Sequence, residues 1–407
     1  MLWLNSGVII LSKYIKNNKD FGLQYDWKKI KHEMHQLSIP ADVHNPEFLP
    51  LDAAKFFVCC SERNIGKTTN WLLLGMVMNE MYGTIPQYIR QREDMIAPKA
   101  LKNLFDTILL YDYVEKVTHG RWNSVYYNSR RYYYCNVDET GQMIEKAEQH
   151  FMFVCSIEGA EMLKSSYNAP MGDLIIFDEF IGRMYYPNEF VLFADLCKTI
   201  IRGRRSPIIA MLANTINPHS PYYNEMSIKD DFEKLNQGDS KIVTTQAGTR
   251  IYIEIVGATA EKKEKNSVIN RLFFGFKNPL LGAITGESTW SIKEYQHIPE
   301  LKENEDVHVI SRQLYVLYSG KLVRLDIVLH STLGRCIYAH WANKTYKDSI
   351  ILTNEYRTDS RYMYRYGSGL VEKFLKNMLA ENRVYYATND VGCLLDAYFA
   401  YIKQLHI

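Results

Sequence analysis

Residues 61–69 read SERNIGKTT and directly follow the apolar run KFFVCC, Lys55–Cys60. Gly66, Lys67 and Thr68 fill the last three places of the phosphate-loop pattern GxxxxGK[ST]. In that pattern backbone N–H groups wrap phosphate oxygens, the lysine reaches the β and γ oxygens, and the hydroxyl ligates Mg2+. Ser61 stands where the loop normally opens on glycine, and Asn64 where a second glycine is common. Serine tolerates the opening turn, and asparagine is the non-glycine residue that best accepts positive φ. The stretch Ser61, Arg63, Asn64, Ile65, Gly66, Lys67, Thr68 and Thr69 is therefore read as an ATP-binding loop, with Thr68 as a metal ligand.

A second motif carries the partner chemistry. LIIFDEF places Asp178 and Glu179 at the end of an apolar strand. Hydrolytic phosphate-loop enzymes need one carboxylate beside Mg2+ and another to polarise the attacking water. Asp178 suits the first role and Glu179 the second; the plainer alternative is a strand that ends in two solvated acids. The expected cofactors are ATP and Mg2+.

Two further features are open to more than one use. Arg202, Arg204 and Arg205 in IIRGRRSP close a helix before the run PIIAMLAN. They fit an arginine finger reaching a neighbour's site, phosphate contacts to nucleic acid, or a basic helix end that complements the macrodipole. Asn214, at the end of the next strand, is either a γ-phosphate sensor beside the loop or a turn residue before Asn217–Pro218.

The elements that must position these residues follow from periodicity. Residues 1 to about 50 form an N-terminal extension, with a polar helix around Trp27–Leu37 and a connector punctuated by Pro40, Pro46 and Pro50. From Lys55 buried strands alternate with helices: KFFVCC, the helix Thr68–Tyr82, PQYIRQR, the helix APKALKNLFDTILLYDYV, and the strands HFMFVCSI, DLIIFDEF and SPIIAMLAN. SVYYNSRRYYYCN reads as a hairpin. Such alternation predicts an α/β domain with a mostly parallel sheet over residues 51–257. A linker-like stretch spans 258–305, and a smaller α+β unit of hairpin, strands and two helices (about Gly369–Asn382 and Asp390–Gln404) spans 306–407.

Composition narrows the class. The 407 residues are 47% hydrophobic and 23% charged, enough for a sizeable core, and the net charge of +2 means that nucleic acid would need a local basic surface. Seven cysteines without CxxC spacing argue against a disulfide framework and for a reducing compartment. The N-terminal apolar run is interrupted by Asn5 and Ser6 and falls short of the ~20 residues that span a bilayer, so a soluble intracellular protein without membrane contact is expected.

In order and spacing, RNIGKT (63–68), YIRQR (88–92), SRRYYYC (129–135), LIIFDEF (174–180), YPNEF (186–190), IIRGRR (200–205) and LANTINP (212–218) resemble the DNA-packaging ATPases of phi29-like short-tailed phages (Picovirinae). The resemblance implies an additional-strand, conserved-glutamate ATPase domain joined to a C-terminal RNase H-like domain. It implies a homo-oligomeric ring, a pentamer by family analogy, that drives double-stranded DNA into a procapsid through the portal. It places the protein in the host cytoplasm and transiently at the portal vertex, with an RNA adaptor as a further partner to consider. By position it makes Lys67 and Thr68 the phosphate and Mg2+ ligands, Asp178 the metal support and Glu179 the catalytic base. Arg202, then Arg204, is the trans-acting finger; Arg63 is a further γ-phosphate contact, and Lys164 is a DNA-gripping pore residue or an ordinary surface lysine.

The missing loop glycine, the longer N-terminal extension and the longer central segment depart from the family. The C-terminal unit also departs from an active nuclease. Two-metal cleavage needs several converging carboxylates, yet ISRQLYVLYS holds no acid, Asp326 sits on the second strand, and Asp390 reads as a helix N-cap. A vestigial nuclease-like domain is expected. Its basic residues, such as Lys321, Arg324 and Arg335, form either a docking surface or a solvated face. The sequence thus points to a translocating ATPase. The alternatives are a terminase-like protein with active nuclease and a nucleotide-binding adaptor without turnover.

Overall fold

The computed structural model describes residues 25–61, 65–160, 172–181, 188–201, 207–214, 220–257, 307–355, 357–363, 370–381 and 383–404. The chain divides into two compact units. The first comprises residues 1–180, 189–215 and 235–259; the second comprises 181–188, 216–234 and 260–407.

The first unit is built on a nine-stranded sheet. In chain order its strands are β1 (Phe56–Cys60), β2 (Gln87–Arg90), β3 (Ser124–Asn128), β4 (Arg131–Val137), β5 (Met143–Ser156), β6 (Leu174–Asp178), β7 (Ile208–Ala213), β8 (Ser240–Thr244) and β9 (Arg250–Ile255). Their spatial order is β3-β4-β5-β2-β6-β7-β1-β9-β8. From β5 to β9 every neighbouring pair is parallel, and antiparallel strands close both edges. The parallel strands FFVCC, LIIFD and IIAMLA are apolar apart from the terminal Asp178 because both faces are covered, which is why they lack the alternation of a half-solvated strand.

Three features depart from the sequence expectation. The stretch APKALKNLFDTILLYDYV, Ala97–Val114, is not one helix; three short ones stand there, Pro98–Leu101, Asp106–Leu110 and Tyr113–Val117. Phe105 leaves helical geometry (φ −104°, ψ 4°), and Asp112 turns left-handed at φ 55°, a conformation that aspartate accepts more readily than most residues. The strand containing HFMFVCSI begins earlier, at Met143, through a mostly exposed stretch. The hairpin β8–β9 carries no expectation above, yet it extends the parallel sheet beyond β1.

Two helices matter most here: α1 (Trp27–Gln36) and α2 (Lys67–Tyr82). Helix α1 buries Ile30 and Met34 in the same core as α2, and just before it Tyr25 donates its hydroxyl to Asp173 at 2.7 Å. Helix α2 is buried on nearly every side from Asn70 to Met78. Its Gly75 lets the backbone approach Pro86; an added Cβ would lie 2.7 Å from the proline Cγ and 3.4 Å from a Leu174 methyl. Helix propensity favours alanine over glycine by about 1 kcal/mol, but overpacking a rigid ring costs about 1–3 kcal/mol. Gly75→Ala should therefore destabilise the first unit by about 1 kcal/mol. A lowered denaturant midpoint at unchanged m-value checks this, and a raised midpoint would show that Pro86 yields.

The second unit has a six-stranded sheet in the order β14-β13-β10-β11-β12-β15. Strands β10 (Val307–Tyr318), β11 (Lys321–His330) and β12 (Gly334–Trp341) form the expected antiparallel meander. Beyond it β13 (Ile350–Thr353) pairs parallel with β10, β14 (Tyr362–Met363) parallel with β13, and β15 (Val384–Tyr386) parallel with β12. The helices Leu370–Ala380 and Asn389–Gln404 supply Leu375, Met378, Leu394 and Tyr398 to this core. The cap of the last helix is Thr388 rather than Asp390: the Thr388 hydroxyl accepts from the Val391 N–H at 3.4 Å, and Asp390 lies inside the first turn. No disulfide joins the seven cysteines, all of them buried. Among the described residues no helix is long and apolar enough to cross a membrane.

Candidate nucleotide-hydrolysis site

The sheet order brings the sequence-expected residues together. Strands β2, β6, β7 and β1 lie side by side and parallel, so their carboxyl ends share one edge. Ligands of open parallel sheets bind at that edge. There Arg90 ends β2, Asp178 ends β6, Asn214 follows β7, and Ser61 follows β1 before the loop enters α2.

Gly66 precedes α2 in a left-handed conformation, φ 74°, and an added Cβ would meet the Val43 Cβ at 3.0 Å. Glycine is thus needed there both for its backbone and for the close approach. No side chain caps α2, so its first N–H groups and the positive end of its dipole face the loop, a geometry that suits phosphate. Ile65 is buried, and its carbonyl accepts from the His44 N–H at 2.8 Å.

Lys67 is only 4% exposed. Its Nζ donates to the Ser61 hydroxyl and, at 3.1 Å, to Asn214 Oδ1. The serine that replaces the opening glycine therefore does more than tolerate the turn, because it holds the lysine head. Thr68 Oγ1 donates to Asp178 Oδ1 at 3.0 Å. This hydroxyl–carboxylate pair is a hard-oxygen donor set, the kind that suits Mg2+. Thr69 is partly exposed in the first turn of α2.

Asp178 accepts from the Tyr88 hydroxyl at 2.7 Å, from Arg90 at 3.3 Å and from the Glu179 N–H at 3.1 Å. Burial, and then the Asp178 carboxylate, pushes the Tyr88 phenol well above its ordinary range, so it remains a donor. Glu179 takes φ 54°, uncommon for a residue with a side chain, and is 42% exposed at its side chain. One carboxylate oxygen pairs with Arg90 and the other lies 3.5 Å from the Asn214 amide. Burial works against the Arg90 charge, but Tyr88, Asp178 and Glu179 together hold the guanidinium firmly protonated.

Asn214 thus spans Lys67 and Glu179, a placement that follows from β7 lying between β1 and β6. The described residues assemble Ser61, Lys67, Thr68, Asp178, Glu179 and Asn214 at one place. Arg63, Asn64, Lys164, Arg202, Arg204 and Arg205 lie outside the described residues. Arg90 belongs to the site although no role is assigned to it above. The only sequence signal was a cation ending an apolar strand, and its use depends on β2 standing next to β6.

In the second unit Asp326 is not free to serve as a metal ligand. Arg324 grips both of its oxygens at 2.7 and 3.0 Å, and His340 lies at 3.2 Å. Burial would raise the Asp326 carboxyl, but His340 and Arg324 hold it below the ordinary carboxylate range.

The architecture has counterparts among solved structures. The Phi-28 gp11 DNA packaging motor aligns over 89% of this chain and 99% of its own, with TM-score 0.50 and 16% identity. The bacteriophage Phi-29 viral genome packaging motor assembly aligns over 90% of this chain and 100% of its own, with TM-score 0.48 and 15% identity. The N-terminal domain of the DNA packaging ATPase from bacteriophage phi29 covers 53% of this chain, with TM-score 0.40 and 19% identity over 97% of that domain. No family model matches the chain, and no curated protein sequence matches it. The likeness is one of fold: a mixed α/β unit on a large, mostly parallel sheet together with a second, smaller sheet.

Proposed function

We propose that this chain is an ATP-driven translocase of double-stranded DNA, working as a homo-oligomeric ring that fills a phage procapsid through its portal. The observation that supports this most is Asn214 linking Lys67 to Glu179 while Thr68 meets Asp178. Phosphate-binding and water-activating groups thus share one sheet edge, in a fold shared with a packaging motor.

In this reading Lys67 and the first N–H groups of α2 hold the β and γ oxygens, and Ser61 and Asn214 release the lysine head to them. Thr68 and Asp178 hold Mg2+, which when bound neutralises phosphate charge. Glu179 polarises the attacking water, and Asn214 registers the γ-phosphate from the neighbouring strand. Arg202 or Arg204 completes the site of the adjacent subunit, and Lys164 grips the DNA backbone with a salt-sensitive hold. The second unit serves docking rather than cleavage, because Asp326 is engaged by Arg324 and His340.

Arg90 adds a brake. A carboxylate paired with a guanidinium is a poor water-activating base, so the lone subunit idles until Arg90 lets go. Charge-assisted hydrogen bonds contribute about 1.5–3 kcal/mol, less at a partly exposed carboxylate. Arg90→Ala should therefore raise DNA-independent ATP turnover about tenfold and reduce the stimulation by DNA.

The test is steady-state hydrolysis with and without double-stranded DNA, for the wild type and Arg90→Ala. DNA-stimulated turnover in the wild type is the expected result. If both proteins bind ATP and neither turns it over, the chain is a nucleotide-binding adaptor and the motor reading fails.

A further inference from the structure

Where β9 pairs with β1, three side chains from separate segments converge. His44 comes from the connector before β1, Cys59 from β1 and Glu254 from β9, where Cys59 and Glu254 are register partners. One donor atom of each lies within 4.8 Å of the others. His44 Nδ1 stands 3.6 Å from Glu254 Oε2, and the histidine side chain is 3% exposed. Among the described residues the buried Glu254 Oε2, the oxygen that faces His44 Nδ1, has no hydrogen-bond partner. Orphaned buried polar atoms are uncommon in folded proteins and call for a ligand or a cost.

We propose that His44, Cys59 and Glu254 bind a divalent d-block cation with the preferences of Zn2+. Thiolate, imidazole and carboxylate together suit zinc and disfavour Mg2+. Bonds of about 2.0–2.3 Å around a tetrahedral ion set donor separations of about 3.3–3.7 Å. The His44–Glu254 separation already meets that, and small side-chain rotations bring in the rest. The three residues leave a fourth position for water.

Protonation favours one of the three donors and opposes the other two. Burial, and then the Lys67 charge, holds the His44 imidazole down to about 3, so its lone pair is available at neutral pH. Burial pushes the Glu254 carboxyl up to about 7 and the Cys59 thiol well above its usual range, so both must give up a proton to bind the ion and affinity should rise with pH. The Cys59 proton passes to solvent as the sulfur–metal bond forms. A bound ion would tie β1 and β9 to the connector whose His44 N–H already holds Ile65 of the loop. This proposal stands independently of ATP hydrolysis.

The experiment titrates the full-length protein, freed of metal by chelation, with Co2+ and then Zn2+. Co2+ should saturate at one equivalent with a near-ultraviolet thiolate-to-cobalt band and tetrahedral visible bands, and Zn2+ should displace it. Cys59→Ser should abolish the thiolate band, and Glu254→Gln should weaken Zn2+ binding at least ~10-fold. Saturation without a thiolate band, or a band that persists in Cys59→Ser, overturns the proposal. Should Cys59→Ser not fold, His44→Gln takes its place: weakened Co2+ affinity is expected, and unchanged affinity is the overturning result.

Discussion

A Glu179→Gln variant is expected to hydrolyse ATP about 10²–10⁴-fold more slowly than the wild type, while binding Mg-ATP with unchanged affinity. Glutamine keeps the length and shape of the side chain, and its carbonyl can still accept from Arg90 or Asn214. What it loses is the negative charge that polarises water in the proposed mechanism. The residues proposed to hold the nucleotide, Asp178, Thr68 and Lys67, are unchanged, so the loss should fall on the chemical step. Single-turnover rates beside titration of a fluorescent ATP analogue separate the two quantities. A parallel loss of rate and affinity would instead make Glu179 a binding residue and move the catalytic role elsewhere.

Lys67→Ala should show the complementary pattern, with nucleotide affinity reduced at least ~100-fold and stability unharmed. The lysine head is buried, and hydrogen bonds from a charged donor to phosphate oxygens are each worth about 1.5–3 kcal/mol. Several are lost at once, so binding suffers most. Keeping an ammonium out of water is unfavourable in the nucleotide-free protein. Removing it should therefore leave the denaturation midpoint equal to or above that of the wild type. Residues kept for function at the expense of stability behave in this way. A variant that lost stability and kept affinity would mark Lys67 as a structural residue.

Much of the candidate site's residue set was readable before any coordinates. A buried strand, GKT and a helix define a phosphate loop by local pattern alone, and an apolar strand ending in Asp178–Glu179 supplies the acids. The strand alternation also carried the α/β class, since strands buried on both faces leave continuous apolar runs. What stayed hidden depends on which strands are neighbours. Arg90 becomes part of the site only because β2 lies beside β6, and Asn214 reaches both Lys67 and Glu179 only because β7 separates β6 from β1. The cluster of His44, Cys59 and Glu254 joins two nearby segments to a third far along the chain, and no spacing rule covers it. The break of the expected helix Ala97–Val114 into short pieces was missed because its apolar residues keep a helical period, while Asp112 turns the backbone the other way.

The left-handed backbone at Glu179 has an evolutionary consequence. A side chain there costs about 1–2 kcal/mol that glycine would not. Selection for folding alone would thus drift position 179 toward glycine, and asparagine would be tolerated. On the proposed mechanism, selection on hydrolysis is what would hold a glutamate there against that pressure. In a lineage that no longer needed turnover, position 179 should be among the first in the first unit to change, and the change should leave the protein more stable.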